Sequence, residues 1–277
     1  MDGKQQLAAF PREYTDAIKQ AQNSTTAALQ AGLRLLEIEF PTSSLASVSG
    51  DGEGANEMSF SLGFLRQYLR IFQDRAAATR IFFPDDKELQ VARHGKAMDP
   101  NAGSRQLDPV FEQTAFQLDY LTRPNAFSDM GLDFGKVAVV ERAQPSDERF
   151  VCAYPHFNVN EMLAVEELWE GAARDTDRPI VIFNGELDRI RSGYYPSLFY
   201  PKIGKLAKNL LPHMETIYYI HNFKGSGGGV LFRAYPGPWQ VLRGTPLDPG
   251  SLQVIHTQDT MPTLKQVALE ILPRRRT

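Results

Sequence analysis

Seven side chains at the expected ends of β-strands are the ones chemistry could use: Glu37, Glu39, Asp85, Asn158, Asn184, Glu186 and Asp188. Paired carboxylates can divide the work of a general acid and a general base. A ring of oxygens can also hold a divalent cation. The position supports either use, because open α/β sheets bind ligands beyond the carboxyl ends of their strands. Turn formation and helix capping compete with both. Asn158 precedes a helical run with Glu161 three residues on, the spacing of a capping box, and capping is the preferred reading of this rim. Glu37 and Glu39 lie two apart on a strand and share a face. On a buried face they would be costly unless matched. Arg189 and Arg191 are the candidate partners, so a structural ion pair is preferred there over catalysis.

Two other blocks are dense in functional side chains. Phe183–Tyr195, FNGELDRIRSGYY, carries an amide, two carboxylates, two arginines and two tyrosines directly after a core strand. No single reaction needs that set, whereas Arg and Tyr are enriched at interface hot spots. Arg189, Arg191, Tyr194 and Tyr195 are therefore candidate interface residues. Val230–Gly244, VLFRAYPGPWQVLRG, places Arg233, Tyr235 and Trp239 around a Pro-Gly-Pro turn. Two prolines fix φ on either side of a glycine, so the turn shape is nearly dictated; a plain hairpin would use Asn-Gly or Asp-Gly. Trp239 reads equally as a core plug and as a surface anchor. With Arg233 and Tyr235 it joins the candidate interface.

Several chemistries are excluded. There is no P-loop, G-x-S-x-G or H-E-x-x-H motif, and Gly50–Gly54 carries two carboxylates that would repel phosphate. Gly225–Gly229 reads as a hairpin tip. The five histidines show no metal-ligand spacing. One cysteine, Cys152, permits neither an internal disulfide nor a multi-thiolate metal site, and its apolar run Phe150–Tyr154 predicts a buried, inert thiol. No metal, cofactor or catalytic residue is expected. A net charge of −3 gives no basic field for nucleic acid. No run of about 18 apolar residues is present to span a membrane. Arg274–Arg276 reads as a solvated end, with contact to an anionic lipid surface as the alternative. Met1–Phe10 has no signal-peptide core and is not Arg- and Ser-rich, as a prokaryotic cytosolic protein or a mature organelle form would be.

Short β-type runs alternate with helical ones, which predicts an α/β layered sheet. Helices are expected from Pro11 to Gly32, at 57–72, 87–95, 159–174 and 200–211, and at 263–272. Strands are expected at 33–40, 80–84, 116–121, 136–140, 150–155 and 179–183. The Pro- and Gly-rich stretch 97–109 reads as a mobile loop. Strand runs at 216–223, 230–234, 239–243 and 252–256 follow on short loops, the mark of an antiparallel meander. The prediction is one α/β domain over 10–272, a mixed β-sheet flanked by helices in Rossmann-like layers with a C-terminal antiparallel meander. Residues 1–9 and 273–277 are tails.

FNGELDRIRSGYYP, LLPHMETIYYIHNF and VLFRAYPGPWQVL together resemble the low-PSII-accumulation family of chloroplasts and cyanobacteria, a domain of unknown function. LRLLEIEFPTSSL and RIFFPDD fit its first two strands. The resemblance runs from about Phe10 to Leu272. It implies an auxiliary factor for the assembly or maintenance of photosystem II or another photosynthetic complex. Photosystem II subunits or other assembly factors would be the partners. The place would be the chloroplast stroma, the thylakoid surface or the cyanobacterial cytoplasm. The same domain is fused to an adenylate kinase in one plastid protein, which keeps a nucleotide-linked role open. The family has no established catalytic residues to carry over. An enzyme, or a nucleotide- or metal-binding protein using the acidic rim, is the alternative.

Overall fold

The computed structural model describes residues 7–48, 54–94, 115–123, 138–156, 159–196, 198–224 and 228–273. In chain order the first elements are α1 (Tyr14–Gln30), β1 (Leu35–Glu39), α2 (Gly54–Tyr68), β2 (Thr79–Asp85) and α3 (Asp86–His94). β3 (Gln117–Thr122), β4 (Arg149–Ala153), α4 (Val159–Leu168), β5 (Ile180–Phe183), α5 (Asp188–Arg191) and α6 (Pro201–Asn209) follow. The chain ends with β6 (Glu215–Phe223), β7 (Gly229–Ala234), β8 (Trp239–Arg243), β9 (Gln253–Gln258) and α7 (Leu264–Gln266). The fold is mixed α/β, with parallel and antiparallel strands and flanking helices. Its elements gather into two compact units, Met1–Tyr68 with Glu215–Thr277, and Leu69–Met214.

The first unit orders its strands β1-β6-β7-β8-β9. β1 and β6 are parallel, and the other three pairings are antiparallel, which is the expected meander. Helix α1 packs on β1, β6 and β7 through Ala17, Ile18, Ala21 and Ala28, all buried. These small side chains recur at helical spacing, so the helix approaches the strands closely. Gly32, at φ +81°, ends the turn after α1 in the left-handed region that glycine tolerates best.

In the second unit the order is β3-β2-β4-β5, all parallel. Parallel strands covered on both faces read as continuous apolar runs. Accordingly Ile81–Phe83, Phe150–Ala153 and Ile180–Phe183 are all buried, and Cys152 lies among them. Burial pushes the Cys152 thiol well above its usual range, as expected for an inert one. Helix α3 packs against β2 and β3, and α4 against β3. One strand expectation needs correction: Val139–Arg142 forms a short 3-10 turn, and residues 136–137 lie outside the described residues. The 97–109 stretch also lies outside them.

The same unit carries a buried ion pair whose members lie far apart in sequence. Arg80 on β2 donates to Asp147 through Nε at 2.7 Å and Nη2 at 3.3 Å. Asp147 is 2% exposed and also accepts from the Gln144 backbone at 2.7 Å. Asp119 on β3 lies 3.4 Å from Arg80 and 3.8 Å from Arg142, whose guanidinium stacks 4.0 Å over the Tyr120 ring. Removing one partner of such a pair strands the other charge in a low-dielectric site. Arg80→Met should cost about 3–5 kcal/mol of unfolding free energy. Urea denaturation of the variant beside Arg80→Met/Asp147→Leu tests it, the double variant regaining stability. Equal stability of wild type and single variant would show that Asp147 is not held by this pair.

Candidate functional site

In the first unit, Arg233 on β7 organises the Pro-Gly-Pro turn. Its guanidinium meets Glu215 at 2.6 Å and donates to the Thr216 carbonyl at 3.0 Å and the Gly237 carbonyl at 3.4 Å. It also lies 5.3 Å from the Trp239 ring centre and 5.8 Å from that of Tyr235. Arg233 is 8% exposed and Trp239 1%. The Trp239 ring packs edge-on against Tyr219 at 5.2 Å, in a cluster with Leu231, Val241, Val267 and Ile271. Trp239 and Arg233 therefore belong to the interior, and the expectation that they form a docking surface is corrected. Burying about 200 Å² of indole outweighs what an exposed anchor would gain before binding. Tyr235 alone of the three is half-buried.

Glu37 is fully buried on β1, where both faces of the strand are covered. Its carboxylate accepts from the Thr216 hydroxyl, its register partner on β6. Glu39 is half-buried. Thr216 thus links two features that stand far apart in sequence, giving its hydroxyl to Glu37 and its carbonyl to Arg233. Buried polar groups persist where they are bonded in this way.

In the second unit the rim closes on itself. Asp85 accepts from the Glu88 backbone N–H at 2.8 Å, the capping geometry for α3. Asp188 pairs with Arg191 at 3.6 Å, and Glu186 with Arg189 at 2.6 Å, each pair three residues apart. The arginines proposed for Glu37 and Glu39 are therefore engaged by carboxylates of their own block. Asn184 is buried at the end of β5, and Asn158 lies outside the described residues. Tyr154, Asn184 and Glu186 adopt φ of 35°, 52° and 48°. Such left-handed conformations cost non-glycine residues of order 1 kcal/mol or more and are held in place by surrounding structure. They bend the chain off β4 and β5 and turn Glu186 toward His156.

His156 Nδ1 lies 3.5 Å from the Glu186 carboxylate. Proximity to that carboxylate favours the imidazolium, yet burial and the neighbouring Arg189 guanidinium outweigh it and lower the His156 pKa to about 4. Burial also raises the Glu186 pKa, against the pull of Arg189. The space left among His156, Glu186, Arg189, Met162 and Tyr195 is about 20 Å³, room for one water molecule. Among the described residues no cluster of three or more His, Cys, Asp or Glu is set to hold a metal ion.

Past this closed rim the chain becomes exposed. The Arg189 side chain is 48% exposed, Arg191 22%, and Tyr194 70%. Tyr195 is half-buried, its ring edge-on to Tyr194 at 5.1 Å and Tyr200 at 5.3 Å. A further feature has little signature in the sequence. An open groove of about 1180 Å³ in the first unit is lined by Asn222, Phe223, Arg243, Leu247 and Leu272. The only sequence signal near it is the glycine-rich 225–229 stretch. Arg274–Arg276 lie outside the described residues, and no described helix is long and apolar enough to cross a membrane.

Residues 11–269 match the model of a family described as Domain of unknown function (DUF1995). No curated protein and no solved structure matches the chain.

Two outcomes follow from these placements. Trp239→Ala should lose about 3–5 kcal/mol of stability, while Arg189→Ala and Tyr194→Ala stay within about 1 kcal/mol of wild type; a near-native melting temperature for Trp239→Ala would contradict its place in the core. The second concerns pH. An unfolded His156 takes up a proton near pH 6.5, whereas the folded one resists until about pH 4. Stability is therefore lost as pH falls through this window, by up to about 3 kcal/mol relative to His156→Gln. Protonation of Glu186, whose pKa is raised, acts in the opposite direction. Parallel stability–pH curves for the two proteins would mean that His156 is not held neutral.

Proposed function

The chain belongs to the family described as Domain of unknown function (DUF1995), and from that premise we propose that it is an auxiliary factor for a photosynthetic complex. Photosystem II is the first candidate, and the factor acts by binding protein in its assembly, stability or maintenance. The likeness of the FNGELDRIRSGYYP and VLFRAYPGPWQVL blocks to low-PSII-accumulation proteins motivates the choice of complex. The observation that carries a binding role is the contrast within the second unit. The space among His156, Glu186, Arg189, Met162 and Tyr195 is about 20 Å³, too little for a nucleotide or metabolite there, while the adjoining Arg189 and Tyr194 side chains stand exposed. Arg and Tyr in such a position supply contact area and charge-assisted hydrogen bonds to a protein partner. The chloroplast stroma, the thylakoid surface or the cyanobacterial cytoplasm is the compartment that fits this role. The reading that makes the acidic rim an enzyme or metal site loses ground, because Asp85, Glu186 and Asp188 are engaged in a cap and two ion pairs.

Immobilised protein should retain photosystem subunits from gently solubilised thylakoids. Arg189→Ala/Tyr194→Ala should cut that recovery at least tenfold while melting like wild type. Recovery of no photosynthetic subunit, or undiminished recovery by the double variant, would remove the proposal.

A further inference from the structure

Elsewhere in the described chain, large exposed apolar side chains occur singly, at Leu7, Phe60, Leu247 and Leu269. After α5 they crowd together. Tyr194 is 70% exposed, Leu198 83%, Phe199 75% and Tyr200 42%, four within seven positions. Large apolar side chains exposed together on so short a stretch mark a place that something covers. Backbone hydrogen bonds hold the described residues of the tip. The Tyr194 backbone N–H donates to the Arg189 carbonyl at 3.1 Å, those of Phe199 and Tyr200 to the Pro196 carbonyl at 3.0 and 2.9 Å, and that of Gly204 to Tyr200 at 3.0 Å. The turn thus runs directly into α6.

Charge selects the occupant. From Arg189 to Met214 the sequence has five Lys or Arg and no Asp or Glu. Helix α6 buries Ile203 and Leu206 and leaves Lys202, Lys205 and Lys208 exposed. Arg189 and Arg191 are engaged by Glu186 and Asp188, and Glu166, Glu167 and Glu170 of α4 share a groove with Lys205 and Lys208. Lys202, beside the tip, is clear of that groove. A Leu-Phe tip flanked by tyrosines, with Lys202 exposed in the first turn of the next helix, has the composition of a segment that sits at a lipid–water interface. The apolar side chains enter the acyl boundary, the phenols stay at headgroup level, and the Lys202 ammonium group meets anionic headgroups.

We propose that the Tyr194, Tyr195, Leu198, Phe199 and Tyr200 tip, with Lys202 of α6, docks this protein on the surface of an anionic lipid bilayer. The docking needs no photosynthetic partner, so it stands apart from the assembly role. Co-sedimentation with protein-free vesicles tests it, comparing an equimolar mixture of phosphatidylcholine and phosphatidylglycerol with phosphatidylcholine alone. Wild-type protein should pellet with the anionic vesicles at low salt, and binding should weaken at high salt. Leu198→Ser/Phe199→Ser should lower the partition coefficient at least tenfold on both vesicle types. Lys202→Glu should lower it about threefold on the anionic vesicles only. Both variants should melt like wild type, because the altered side chains are exposed. Wild-type protein left in the supernatant, or Leu198→Ser/Phe199→Ser pelleting like wild type, would overturn lipid docking. So would retention through Leu198 and Phe199 by a detergent-solubilised protein without any vesicle binding, which would assign the tip to a protein partner.

Discussion

A guanidinium withdrawn from water must find acceptors for its N–H groups, or the fold loses several kcal/mol. Arg233 meets that demand inside the first unit, and much of the surrounding chain is arranged accordingly. Glu215 supplies the countercharge, the Thr216 and Gly237 carbonyls supply further acceptors, and the Trp239 ring shields one side. Because Gly237 lies inside the Pro-Gly-Pro turn, the shape of that turn is part of the solvation of the charge. Thr216 then passes the constraint to β1 through Glu37. Strand register, turn shape and Trp position are thereby one linked choice. Arg80 and Asp147 play the equivalent part in the second unit.

This coupling explains what could be read from the residues and what could not. The α/β alternation was legible because apolar runs such as Ile81–Phe83 and Ile180–Phe183 belong to strands covered on both faces. The four closely spaced runs after Met214 announced the meander for the same local reason. The partners of buried charges were illegible. Asp147 is 67 residues from Arg80, and Thr216 is 179 residues from Glu37, and nothing local in a single sequence names a partner at such a distance. Trp239 was ambiguous for a different reason. Turn residues dictate the path of the backbone, but the packing of Tyr219, Leu231 and Val267 decides which side the ring takes. The Lys136–Val140 run has the composition of a strand, yet Val139–Arg142 winds into a 3-10 turn. Composition alone does not supply a neighbouring strand.

The candidate site shows the same division. Residues at strand ends were identified by type, and their fate was decided by neighbours three residues away. Short helical spacing lets Glu186 reach Arg189 and Asp188 reach Arg191. A rim that looked acidic in sequence is thus largely neutralised in place, and polarity shifts to the exposed segment beyond it. Chemistry at a strand end needs an open, solvated space. Recognition needs a side chain that projects, and Tyr194 does.

The two units differ in how the chain enters them. Leu69–Met214 is a single stretch, whereas the other unit is assembled from Met1–Tyr68 and everything from Glu215 onward. On the ribosome, the inner stretch emerges complete and can fold while translation continues. β1 emerges early but must wait for β6, its parallel partner, which follows only after the whole inner unit. Until then the Glu37 carboxylate is without the Thr216 hydroxyl from which it accepts. The nascent amino-terminal segment thus carries a carboxylate destined for burial throughout the synthesis of the whole inner unit.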